Sequence, residues 1–97
     1  MADDSDRKAI FLRIQGRVQG VWFRAWMKEE ADKRGIQGWV RNRTNGTIEA
    51  MMVGAGEQVD DLLEACNGGP PLARVDKIDT QPATGVVPNG FETRPTG

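Results

Sequence analysis

Two hydrophobic patterns of different period meet at one short loop, and their meeting constrains the fold more than any other feature of the chain. Ile10, Leu12 and Ile14 alternate with Phe11, Arg13 and Gln15, the period of a half-buried strand. Further on, Phe23, Met27 and Ala31 recur at helical spacing with Trp26 alongside, while Lys28, Glu29, Asp32 and Lys33 cover the far side as far as Gly35, a natural helix stop. Between the two patterns lies Gly16-Arg17-Val18-Gln19-Gly20-Val21-Trp22-Phe23-Arg24. A strand therefore hands over to a helix across a glycine-bracketed turn. Such a turn can point several backbone N–H groups inward, the first N–H groups of the helix have no internal partner, and the helix dipole adds partial positive charge. Arg24, in the first helical turn, offers a planar fork for a phosphate. Gly16, Arg17, Val18, Gln19, Gly20 and Val21 are thus a candidate phosphate-binding loop. Spacing alone leaves a second reading open, a plain connector with a surface arginine.

The remaining chain alternates between the same two periods. Ile36 to Arg43 and Thr47 to Val53 read as strands joined by Thr44-Asn45-Gly46, where Asn-Gly supplies the positive backbone angles of a tight hairpin turn. Ile48, Ala50 and Met52 form one face to bury, and Thr47, Glu49 and Met51 the other. After Gly54-Ala55-Gly56, Val59, Leu62, Leu63 and Cys66 follow the spacing of one buried helix face. Gly68-Gly69-Pro70-Pro71 ends that helix, Ala73 to Thr80 reads as a fourth strand, and Gln81 to Gly90 as a surface loop. Phe91 to Arg94 is expected as a short edge strand. The order strand, helix, strand, strand, helix, strand, with one apolar face per helix, is solved by an α+β fold: a ferredoxin-like βαββαβ sandwich, an antiparallel sheet with both helices on one face. Trp22, Trp26 and Trp39 are expected in core or helix–sheet packing, Trp22 being the one that could instead wall the loop.

A chain of 97 residues holds one domain and one modest core. Residues 9–97 are expected to form that domain, behind a polar, acidic and flexible N-terminal tail at 1–8. No apolar core follows the tail, no segment suits a bilayer, and a single cysteine fits a reducing compartment, so a cytoplasmic location and no membrane partner are expected. No long apolar patch beyond the predicted faces asks for a partner, so a monomer is expected. The formal net charge of −1 creates no global field for nucleic acid. Arg17, Arg24, Arg41 and Arg43 nevertheless cluster around the candidate segments, Arg41 and Arg43 reading as solvation of a strand edge. There is no histidine, no tyrosine and one cysteine. Histidine acid–base chemistry is therefore excluded, the usual zinc ligand sets cannot be assembled, and neither a metal nor another cofactor is expected. A phosphatase cysteine with arginine six positions later would need Arg where Leu72 stands, so Cys66 reads as a small buried apolar residue.

Four segments together resemble the acylphosphatase family: the loop from Gly16 to Arg24, Gly38-Trp39-Val40-Arg41-Asn42, Asn45-Gly46-Thr47-Ile48-Glu49-Ala50, and Gly69-Pro70-Pro71-Leu72-Ala73-Arg74-Val75. They come in the family's order and span nearly the whole chain. The resemblance implies the same fold, with the first and third strands central. It implies that the first loop cradles phosphate, that Arg24 binds the same group, and that Asn42 orients an attacking water. It also implies the activity, hydrolysis of a small acyl phosphate to a carboxylate and inorganic phosphate without a cofactor. The missing histidine agrees with that substrate, because a carboxylate departs as a stable anion and needs no protonation. Two rival readings remain. An RNA platform would carry aromatics on the exposed faces of the first and third strands, where Phe11 alone stands among Arg13, Gln15, Thr47, Glu49 and Met51. A phosphate sensor would have no use for Asn42.

Overall fold

The computed structural model describes residues 6–97. Its elements are β1 (Arg7–Arg17), α1 (Phe23–Lys33), β2 (Gln37–Asn42), β3 (Ile48–Ala55), α2 (Gly56–Cys66), β4 (Arg74–Pro82) and β5 (Phe91–Arg94). Most of the expected tail lies outside the described residues, and Arg7 and Lys8, assigned to it from sequence, belong to β1, where they pair with Ala55 and Gly54.

The sheet order is β4-β1-β3-β2-β5. β1 and β3 are central, so the end of β1 and the end of β2 lie two strands apart at one corner. The expected antiparallel sheet is in fact mixed: β5 runs parallel to β2, with Gly38 opposite Phe91 and Arg41 opposite Arg94. The reason is topological. β4 occupies one edge, and the chain must cross the sheet to reach the free edge of β2, which it enters in the same direction as β2.

The alternation of β1 and β3 and the helical stripes meet in one core. Ile10, Leu12, Ile14, Ile48, Ala50 and Met52 face Phe23, Met27 and Ala31 of α1 and Val59, Leu62 and Cys66 of α2. Both helices therefore cover the same face. Burying each large side chain of this set contributes roughly 1.5–3 kcal/mol, which is what holds two short helices of modest intrinsic stability in place.

The opposite face departs from expectation. Met51 and Trp39 are buried there with Val53, against Phe11, Ala9, Ala83 and Val87. Trp39 is not under a helix: Phe11 lies 6.3 Å from its ring, and the guanidinium carbons of Arg41 and Arg94 stand 5.4 and 4.9 Å above it. The cause is the segment after β4, expected as a plain surface loop. It folds back over this face and donates from Ala83 N to Ala9 O.

Candidate active site

The corner begins with a break in register. β1 and β4 pair regularly up to Gln15, where a bulge shifts the ladder before Gly16. Gly16 has φ 133, and a Cβ there would sit 2.1 Å from the carbonyl oxygen of Arg74, so only glycine lets the strands close at this point. Past the bulge the chain leaves the sheet. Val18 and Val21 are buried and fix the loop's apolar side to the core, while Gly20 and Trp22 adopt φ 74 and 66. Gly20 and Trp22 are thus left-handed on either side of Val21, and left-handed residues of this kind are the building blocks of anion-binding nests. Among the described residues, no backbone N–H from Val18 through Phe23 donates to a protein acceptor. Backbone N–H groups without a protein partner must be paired from outside, by water or by a bound anion, so this run of free donors is open to a phosphate.

α1 starts at the end of this run. Its first turn holds no acidic side chain, so its dipole is not neutralised. Arg24 lies half-buried in that turn and donates from Nη1 to the carbonyl oxygen of Arg94 at 3.2 Å. One turn later Lys28 Nζ donates to Phe91 O at 3.2 Å, so two α1 side chains are clipped to β5. One donor of the Arg24 fork is thereby fixed, and the other N–H groups have no acceptor among the described residues.

Asn42, the last residue of β2, reaches the same place. Its backbone oxygen accepts from Gly97 N at 3.0 Å. Its side-chain amide, by contrast, makes no hydrogen bond among the described residues. Val18, Gly20, Arg24 and Asn42 line one cleft of about 450 Å³ together with Trp22, Phe23, Ala25 and Thr93. The expected loop residues divide by role. Val18 and Gly20 line the cleft, Val21 is the anchor beneath it, and Gly16 is the bulge that launches the loop. Arg17 is exposed at the end of β1 opposite Arg74. Gln19 is a tether, its Nε2 donating to Arg43 O at 2.8 Å and Thr47 O at 2.9 Å and so pinning the loop to the β2–β3 hairpin.

Arg41 and Arg43 do not join the cleft. Both pair with Glu49, at 2.7 and 3.5 Å. Thr93 and the carbonyl of Arg94 were missed from sequence, because only the pairing of β5 with β2 brings them here. The cleft lining includes no carboxylate and no thiol. Cys66 is fully buried in the core, where burial pushes its thiol pKa up to about 12.

The family profile for acylphosphatase matches residues 10–93. The chain belongs to the acylphosphatase family. Membership makes it an enzyme of acyl phosphate hydrolysis. An acylphosphatase of Rhizorhabdus wittichii is 46% identical over 95 residues, covering 98% of this chain and 96% of the relative. The structure of an acylphosphatase from Coxiella burnetii superimposes with a TM-score of 0.89 at 26% identity, covering 97% of this chain and 99% of the other. The acylphosphatase of Bacillus subtilis gives 0.81 at 32% identity, over 89% of this chain and 97% of its own. No helix among the described residues is long and apolar enough to cross a membrane.

Proposed function

We propose that the cleft hydrolyses the carboxyl–phosphate anhydride of small acyl phosphates, with Arg24 and the loop from Gly16 to Val21 holding the phosphoryl group and Asn42 holding the water. The observation that carries this reading is the run of unpartnered N–H groups from Val18 to Phe23 beside the free donors of Arg24, with the unengaged amide of Asn42 in the same cleft. Fixed donors of this kind stabilise the charge spread over the equatorial oxygens of a transferring phosphoryl group, each contributing roughly 10² to 10³ in rate.

The atoms balance simply. The water oxygen, held by the Asn42 amide, forms a new bond to phosphorus while the bond from phosphorus to the acyl oxygen breaks. Its electron pair leaves on the carboxylate, and the water proton goes to a phosphate oxygen. Asn42 accepts and donates hydrogen bonds but is no base at neutral pH, so the reaction depends on a leaving group that needs no proton. The cleft's donors are N–H groups and an amide, a set suited to an anion and not to a divalent cation. The hydrolysis is metal-free on this reading.

Turnover of benzoyl phosphate and of an aryl phosphate monoester, each with chelator, tests it. Hydrolysis of the anhydride alone is expected. Arg24→Ala should raise KM and lower kcat together, whereas Asn42→Ala should lower kcat about 10²-fold with little change in the inhibition constant of inorganic phosphate. Equal, small effects of both substitutions would refute the assignment of roles.

A further inference from the structure

Among the side chains that line the cleft, that of Trp22 is not needed by the phosphate chemistry. Trp22 is 78% exposed, yet it lines the cleft with Gly20, Arg24 and Asn42. It is also the only non-glycine residue with positive φ among the described residues, at φ 66 and ψ 23. That conformation is unfavourable for a side chain of this size. As the residue before α1 it makes no side-chain cap for the helix, and it takes part in neither aromatic pair of the fold. A small or turn-forming residue would meet the backbone's requirement with less strain. The indole instead stands in solvent at the edge of the anion nest.

In-line displacement sends the leaving carboxylate away from the water held at Asn42. The group attached to that carboxylate has to extend from the nest toward solvent, past the side chains at the mouth of the cleft. Trp22 is the exposed apolar surface there. Beside it Ala25 is small and exposed, and Thr93 is the remaining neighbour from β5. The rim has no charge apart from Arg24, so it offers a flat apolar platform and no partner for a second ionic group. Building on the hydrolase reading above, we infer that Trp22 is a specificity-determining residue that stacks on the acyl group of the substrate. It selects acyl phosphates with a planar aromatic or extended apolar acyl moiety over the smallest ones.

The test is the ratio of kcat/KM for benzoyl phosphate to that for acetyl phosphate, measured for wild type, Trp22→Gly and Trp22→Phe. Glycine accepts the left-handed backbone and removes the platform, and phenylalanine keeps an aromatic face. An aromatic stacking contact of ordinary strength predicts that the ratio falls about fivefold in Trp22→Gly and returns to within about twofold of wild type in Trp22→Phe. An unchanged ratio in Trp22→Gly overturns the inference. So does an equal loss on both substrates accompanied by weaker inhibition by inorganic phosphate, which would make the indole a support of the nest. Failure of the wild type to hydrolyse either substrate would instead remove the hydrolase reading itself.

Discussion

The tether of Gln19 allows a sharp test of how the phosphate loop is held. Its amide nitrogen donates to two carbonyl oxygens, of Arg43 and Thr47, at 2.8 and 2.9 Å. Each oxygen has a second partner, since Gly46 N donates to Arg43 O and Arg43 N to Thr47 O. Gln19→Ala therefore leaves no acceptor orphaned, and the loss is the net value of two half-buried bonds, about 1–2 kcal/mol. In a domain of this size that lowers Tm by roughly 5–15 °C. Gln19→Glu should be worse. It keeps the shape but replaces a donor with an acceptor facing two acceptors, so lone pairs oppose and a charge loses hydration. Protonation restores one donor, which raises the pKa of the introduced carboxyl in the folded state. The deficit of Gln19→Glu relative to Gln19→Ala is accordingly small below about pH 4, near the ordinary glutamate value, and opens as pH rises. Thermal melts followed by circular dichroism at pH 4 and pH 7 measure both variants, with phosphate inhibition reporting on the loop. A Gln19→Glu protein that melts at or above Gln19→Ala at pH 7 would refute the tether.

Other consequences follow from packing and charge. Gly69 has φ 64, and a Cβ there would lie 2.7 Å from the ring of Phe23, so Gly69→Ala should cost about 1–3 kcal/mol in a urea melt, with its activity loss tracking the unfolded fraction. Cys66, buried with its thiol pKa near 12, should resist alkylation at pH 8 in the native protein and react at the rate of a free thiol in denaturant. The Glu30 carboxyl is held below its ordinary pKa, first by Lys33 and then by Arg34, which also reaches Asp61 of α2. A depressed carboxyl stabilises the fold above its unfolded pKa and loses that contribution as pH falls through the folded value. Glu30→Gln should therefore lower Tm at pH 7 and converge with wild type in acid, as paired melts would show.

What the sequence disclosed was what local period encodes. Ile10, Leu12 and Ile14, Phe23, Met27 and Ala31, and Val59, Leu62, Leu63 and Cys66 each specify their buried face within one element, and the structure buries all of them but Leu63, which packs half-buried against the core. The burial of Trp39 was expected, but neither its place on the face away from the helices nor the burial of Met51 was legible, because both depend on a segment after β4 returning across the sheet, a contact of high sequence separation. The direction of β5 was hidden for the same reason. At the cleft, Arg24 announced itself by its place after a glycine turn, but its contact with Arg94 O requires β5. The left-handed backbone of Trp22 could not be read at all, since residue type argues against it.

That backbone is stable because its neighbours decide the matter. A left-handed conformation costs a non-glycine residue about 1–2 kcal/mol. Val21 and Phe23, on either side, are 3% and 1% exposed, and burial of each is worth roughly 1.5–3 kcal/mol. The pair outweighs the strain, so the chain buries both residues and accepts the angle between them. With Val21 and Phe23 turned into the core, the intervening Trp22 side chain is directed to solvent, and the N–H groups of the turn are left without acceptors among the described residues. The same local conflict thus produces the nest and the exposed indole. It places them beside Arg24 because α1 begins at Phe23 and puts the arginine in its first turn, and beside Asn42 because β3 separates β1 from β2 by a single strand. The site is a consequence of how the core is anchored at one corner of the sheet, and its donors stay fixed because moving them would require taking Val21 or Phe23 out of the core.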